Sequence, residues 1–203
     1  MFKFKHFLAN LALAAATVAA CGQASATPLY YHVDVDTASL GTGPAWLDLY
    51  FLGLAGAADA TASVSHLNGA LDGAPDLLGS VTPGAPGAYT FSNAGSAGGG
   101  ELVQSIQLGG KFSFDVSFAL ASGDTGTTFG WSLFDTTHYL GVDGDLGNFI
   151  LQPDAPLDHQ IFVAAPPASL GAVTAVAEPS TAALMAVAAL AILAMRGRGT
   201  RRA

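Results

Sequence analysis

The sequence predicts an all-β protein, an antiparallel β-sandwich of jelly-roll type flanked by an N-terminal signal peptide and a C-terminal transmembrane helix. Eight or nine short segments alternate apolar and polar residues with the period of two that half-buries a strand. Gly- and Pro-rich turns separate them, and no convincing long helix lies between the two ends to cross over a parallel sheet. Uncharged runs close both termini, in contrast to the acidic middle of the chain. The expected organisation is a signal peptide over 1–26, a β domain over 27–163, a Pro/Ala-rich linker over 164–177 and a sorting or anchor segment over 178–203.

At the start, Lys3 and Lys5 precede an uncharged run over 7–20, and Ala24-Ser25-Ala26 supplies the small residues of a cleavage site, expected after Ala26. A rival stands within the same stretch. Val18-Ala19-Ala20-Cys21 resembles a lipobox, which would be cut before the cysteine and lipidated there. Cys21 is the chain's single cysteine, so no intramolecular disulfide can form, and cleavage after Ala26 leaves no thiol for catalysis or metal binding.

Within the domain, 30–36 reads as a strand with Tyr31, Val33 and Val35 on one face and His32, Asp34 and Asp36 on the other. After the 41–44 turn, 46–52 points Leu47, Leu49 and Phe51 inward and Trp46, Asp48 and Tyr50 outward. A weaker strand over 61–67 has Val64 as its main apolar residue. The eight Gly and Pro residues of 68–88 leave room for a short edge strand only, at 77–81. Residues 89–91 form another short strand, and 92–100 a flexible loop. The 101–108 segment is ambiguous, because Leu102, Val103 and Ile106 also fit one helical face. The clearest strand follows, with Phe112, Phe114, Val116, Phe118 and Leu120 alternating against Ser113, Asp115, Ser117 and Ala119. Residues 127–134 place Phe129, Trp131 and Leu133 inward, and 149–151 and 160–164 close the domain.

Charge limits the partners. Residues 27–177 hold fourteen acidic side chains against Lys111 alone, a net charge of −13 with His neutral. Such a field repels phosphate backbones and anionic lipids, which excludes nucleic acid as a partner of this region.

The chemical motifs are sparse. The chain has no nucleophile elbow, no His-Glu-x-x-His pair and no phosphate-binding loop. His32, His66, His138 and His159 each stand alone in sequence, and no carboxylate pair is singled out for glycoside hydrolysis. Asp143-Gly144-Asp145 with Asp154 offers hard oxygen ligands that would suit Ca²⁺ as a cofactor, although Asp-Gly also serves any hairpin turn. Trp46 and Tyr50, both on the outward face of one strand, form a candidate platform on which sugar rings stack, or else are covered by a neighbouring loop.

The end of the chain is the most specific stretch. Ala177-Glu178-Pro179-Ser180 precedes fifteen uncharged residues over 181–195, and Arg196, Arg198, Arg201 and Arg202 follow. As a helix this run spans about 22 Å, short of a hydrocarbon core of about 30 Å, and the arginines would stay cytoplasmic. Glu178, Pro179 and Ser180, the apolar run and the terminal arginines resemble the PEP-CTERM sorting signal of Gram-negative bacteria over about 26 residues, with Ala177 where the family usually has Pro. The resemblance implies an exosortase-type processing enzyme as partner, a membrane-bound precursor, and an association with exopolysaccharide and the biofilm matrix. Asp36-Thr37, Trp46-Leu47-Asp48 and the 129–135 stretch also look like a group of uncharacterised PEP-CTERM proteins, which implies a fold and an address. The expected function is thus that of an exported, non-catalytic protein of the cell envelope or extracellular matrix. A carbohydrate- or calcium-binding module is the alternative, and a secreted hydrolase the third reading.

Overall fold

The computed structural model describes residues 30–95, 97–156 and 159–176. Twelve strands carry the described chain: β1 Tyr30–Asp36, β2 Gly43–Gly53, β3 Ala60–Gly69, β4 Leu71–Gly79, β5 Val81–Pro83, β6 Tyr89–Ser92, β7 Gly99–Leu108, β8 Lys111–Leu120, β9 Thr127–Phe134, β10 Gly147–Leu151, β11 Ile161–Ala164 and β12 Gly171–Ala175. A 3-10 turn at Ala38–Leu40 follows β1. Two six-stranded antiparallel sheets result, in the orders β12-β1-β8-β3-β6-β5 and β11-β10-β9-β2-β7-β4. The fold is therefore all-β and sandwich-like, as the alternation predicts.

Alternating residues of the two sheets meet in one core. Phe129 of β9 lies with its ring centroid 5.7 Å from Phe91, 6.2 Å from Phe114 and 6.0 Å from Phe118, all three on the opposite sheet. Phe149 of β10 meets Tyr31 at 4.8 Å and Phe118 at 5.2 Å. These tilted and edge-on contacts are the arrangements that aromatic quadrupoles favour. One polar side chain buried beside them is fully bonded. Asn93, 8% exposed, accepts from the Ala60 amide at 2.7 Å and donates to the Ala58 carbonyl and to Thr127 Oγ1.

Four sequence expectations change. The ambiguous 101–108 segment is strand β7, paired in register with all of β2 from Gly43 to Leu52. Its inward residues are Leu102, Gln104 and Ile106; the polar Gln104 hid the period of two. Its amide donates to the backbone carbonyls of Asp72 and Ser105, which makes its burial tolerable. The Gly/Pro-rich 68–88 stretch holds two strands in different sheets, β4 and β5, joined by a corner at Ser80. Gly79 makes that corner, with φ at +64° and the Gly99 carbonyl 2.5 Å from where a Cβ would stand. Gly99 and Gly100, expected in a loop, begin β7.

The domain also runs further than expected. Within the presumed linker 164–177, β12 pairs with β1 from Tyr31↔Ala175 to Val35↔Gly171, Leu170 is buried, and the compact unit ends at Val176. Composition pointed to a linker because Ala, Pro and Gly are poor strand formers. The open edge of β1 supplies the backbone partners that outweigh this preference. Ala24, Ala26, Cys21, Glu178, Pro179 and Ser180, with the expected signal peptide and terminal helix, lie outside the described residues. Among the described residues, no helix is long and apolar enough to cross a membrane.

Candidate functional site

The outer face of the second sheet carries Trp46, Asp48 and Tyr50 of β2, all half-buried. Trp46 is opposite Phe134 in the β2–β9 register and stacks on it, with centroids 5.7 Å apart and planes 18° apart. Tyr50 is opposite Gly130, and its ring fills the space a side chain there would need, 2.3 Å from an ideal Cβ. Its hydroxyl donates to Asp145 Oδ2, which also accepts from Asn148 Nδ2 at 3.4 Å. Burial and this bond together hold the Tyr50 phenol above its ordinary range. Each of the two platform candidates thus has a neighbour against part of its surface.

The loop 135–146 brings the remaining groups. Asp135 Oδ1 starts it by accepting from the amides of Thr137 and His138 and from Thr137 Oγ1, which holds the Asp135 carboxyl below its usual range. Tyr139 then bridges back to Phe134, and the Leu140 and Leu146 amides donate to the carbonyls of Leu133 and Trp131. A concavity of about 580 Å³ results, lined by Asp48, Glu101, Phe134, His138, Tyr139 and Asp143 among others.

Asp48 is its most perturbed group. Burial, then the charges of Glu101 and Asp145 and a hydrogen bond with Glu101, push its carboxyl up to about 7. Its Oδ1 is enclosed and has no bonding partner, and the same holds for Asn148 Oδ1. Trp131 Nε1, a donor in the core, is likewise enclosed without a partner.

A second concavity, of about 710 Å³ and lined by Tyr50, has Leu52, Leu54 and Ile150 in its apolar part and Asp124 and Asp154 among its polar groups. Of the calcium candidates, Asp143 lines the first concavity, Asp145 holds Tyr50 and Asp154 lines the second. Among the described residues, no group of three or more His, Asp or Glu side chains is arranged to hold a metal ion.

One cluster has no sequence signal at all. On the outer face of the first sheet, Asp115 Oδ1 lies 2.6 Å from His32 Nδ1 and its Oδ2 lies 2.7 Å from His66 Nδ1. His32 and Asp115 are register partners from strands 83 positions apart. His66 reaches Asp115 because a bulge in β3 between Ser65 and Asn68 turns it outward at φ +54°. Two of the histidines that stand alone in sequence, His32 and His66, therefore share one carboxylate in space. No known family model matches the chain, and no curated protein or solved structure does.

Proposed function

We propose that this chain is an exported, non-catalytic binding protein of the cell envelope or extracellular matrix, whose β domain engages a saccharide on the outer face of the second sheet. The observation that carries the binding reading is the pair of open concavities, about 580 Å³ at Asp48 and about 710 Å³ at Tyr50, both in the size range of small-ligand sites. Their chemistry suits a sugar: aromatic and aliphatic side chains for the apolar ring face, and carboxylates for the hydroxyls. The acidic character of 27–177 favours a neutral or basic saccharide over a uronate. A jelly roll is the finer reading of the fold, supported by the nested pairing of β1 with β8, β2 with β7 and β3 with β6.

The address rests on the termini. Lys3, Lys5 and Ala24-Ser25-Ala26 support export, and the PEP-CTERM-like tail supports handling by an exosortase-type enzyme from a membrane-held precursor. Exopolysaccharide is then the natural ligand source. Binding of the purified protein to a panel of neutral, amino and uronic oligosaccharides tests the reading. Tyr50→Ala, in the second concavity, and Tyr139→Ala, in the first, are each expected to weaken binding about tenfold or more, the loss of one stacked ring. Absence of binding to any saccharide at millimolar concentration would overturn it. Mass spectrometry of the envelope protein tests the address: the expected mature form lacks Met195 and the arginines, and a form that keeps them is a plain membrane protein.

A further inference from the structure

We propose that His32, Asp115 and His66 form an acid-strengthened clamp that ties β1, β8 and β3 together on the outer face of the first sheet and weakens as the His32 imidazolium loses its proton. The geometry carries this. His32 has a carboxylate at each ring nitrogen, Asp115 Oδ1 at 2.6 Å from Nδ1 and Asp34 Oδ2 at 3.3 Å from Nε2. A neutral imidazole has one N–H, so one of these carboxylates would face a lone pair; the imidazolium donates to both. Asp115 in turn receives two imidazoles, one on each oxygen. His32 must therefore be an imidazolium for every contact to be satisfied, whereas a neutral His66 with its proton on Nδ1 still donates to Asp115.

The surroundings agree. On β1 the outward groups are Tyr30, Asp34 and Asp36, the last bridged to Lys111 at 3.4 Å. Asp115 and Lys111 are the charged residues of β8, and His66 is the titratable residue of β3. β12 brings only Ala172 and Thr174 opposite Asp34 and His32, and Tyr89 is the one titratable residue of β6. Asp115 leads the interactions that raise His32, by its hydrogen bond, against a smaller opposing effect of burial. For Asp115 burial acts upward, but the bonds from His32 and His66 outweigh it and hold the carboxyl below its ordinary value.

The signs define a window. A raised His32 contributes stability that is complete below its ordinary 6.5 and is lost as pH climbs through the folded value. A lowered Asp115 contributes above its ordinary 3.8 and is lost as pH falls through the folded value. The clamp is therefore fully closed between these two ordinary values. What it restrains is the β3 bulge, where His66 occupies a left-handed conformation unusual for a side chain, and where the next residue, Leu67, donates its amide to Gly87 at 3.0 Å.

The test follows the imidazoles and the stability together, in the intact purified protein. NMR titration should place His32 above the ordinary histidine range. Between pH 5.5 and 8 the wild-type unfolding constant should rise more than that of His32→Gln, by about tenfold for each pKa unit that separates folded from unfolded His32. Asp48 titrates in the same window, so Asp48→Asn serves as control and should keep the difference that depends on His32. Amide exchange at Leu67, corrected for intrinsic pH dependence, should lose protection above the His32 transition. Asp115→Asn should return His32 to the ordinary range; if that variant does not fold, the wild-type titration and His32→Gln decide. Titration of His32 at or below the ordinary value, or the same pH dependence in wild type and His32→Gln, would overturn the clamp.

Discussion

Replacing Asp48 by Asn removes a charge from a half-buried site while keeping its shape. In the wild type, burial foremost and the neighbouring Glu101 and Asp145 charges raise this carboxyl from 3.8 to about 7. A group raised in the fold contributes stability that is complete below its unfolded value and is lost as pH rises through its folded value. Wild-type stability should therefore fall from about pH 4 to pH 7 on account of Asp48. The gap corresponds to at most about 4 kcal/mol, and because Asp48 keeps substantial contact with solvent, screening reduces it to about 1–2 kcal/mol. Asp48→Asn cannot ionise and so escapes the loss. At pH 8 the variant is expected to exceed the wild type by about 1–2 kcal/mol in denaturant titration, or a few degrees in Tm. At pH 4 the two should agree within about 0.5 kcal/mol. A variant less stable than wild type at pH 8, or a gain of equal size at both pH values, would refute the reasoning. The first outcome would mean that charged Asp48 is satisfied by a partner; the second, that Asn gains from packing.

Three further outcomes follow from the packing. Phe129→Ala, at the ring cluster that joins the sheets, should cost about 3–5 kcal/mol by chemical denaturation, and a loss below about 1 kcal/mol would mean the sheets do not pack through this ring. Gly130→Ala should displace the Tyr50 ring and break its bond to Asp145 at a cost of about 1–3 kcal/mol, read as a lowered Tyr50 phenol titration and a lower Tm. Asn93→Ala orphans the Ala60 amide and Thr127 hydroxyl and should cost about 1–3 kcal/mol; Asn93→Asp should recover none of the donated bonds.

The sequence by itself determined the β class, the inward and outward faces of β1, β2, β8 and β9, and the acidic balance of the domain. Each of these is written locally: a period of two in Tyr31, Val33 and Val35 or in Phe112, Phe114, Val116 and Phe118 needs no knowledge of any other strand. Trp46, Asp48 and Tyr50 were legible as outward residues for the same reason. Where one inward position is polar, as at Gln104, the pattern fails, because the carbonyls of Asp72, Gly73 and Ser105 make that burial acceptable. β12 was hidden in a similar way, since its stability comes from an edge of β1 far away in sequence. Tertiary structure alone decided which side chains meet. Register set Asp115 beside His32, a bulge turned His66 onto the same carboxylate, and Gly130 admitted the ring that brings Tyr50 to Asp145. Such sites depend on pairings between strands tens of residues apart, and a strand's own residues carry the direction of each side chain but not the identity of its neighbour.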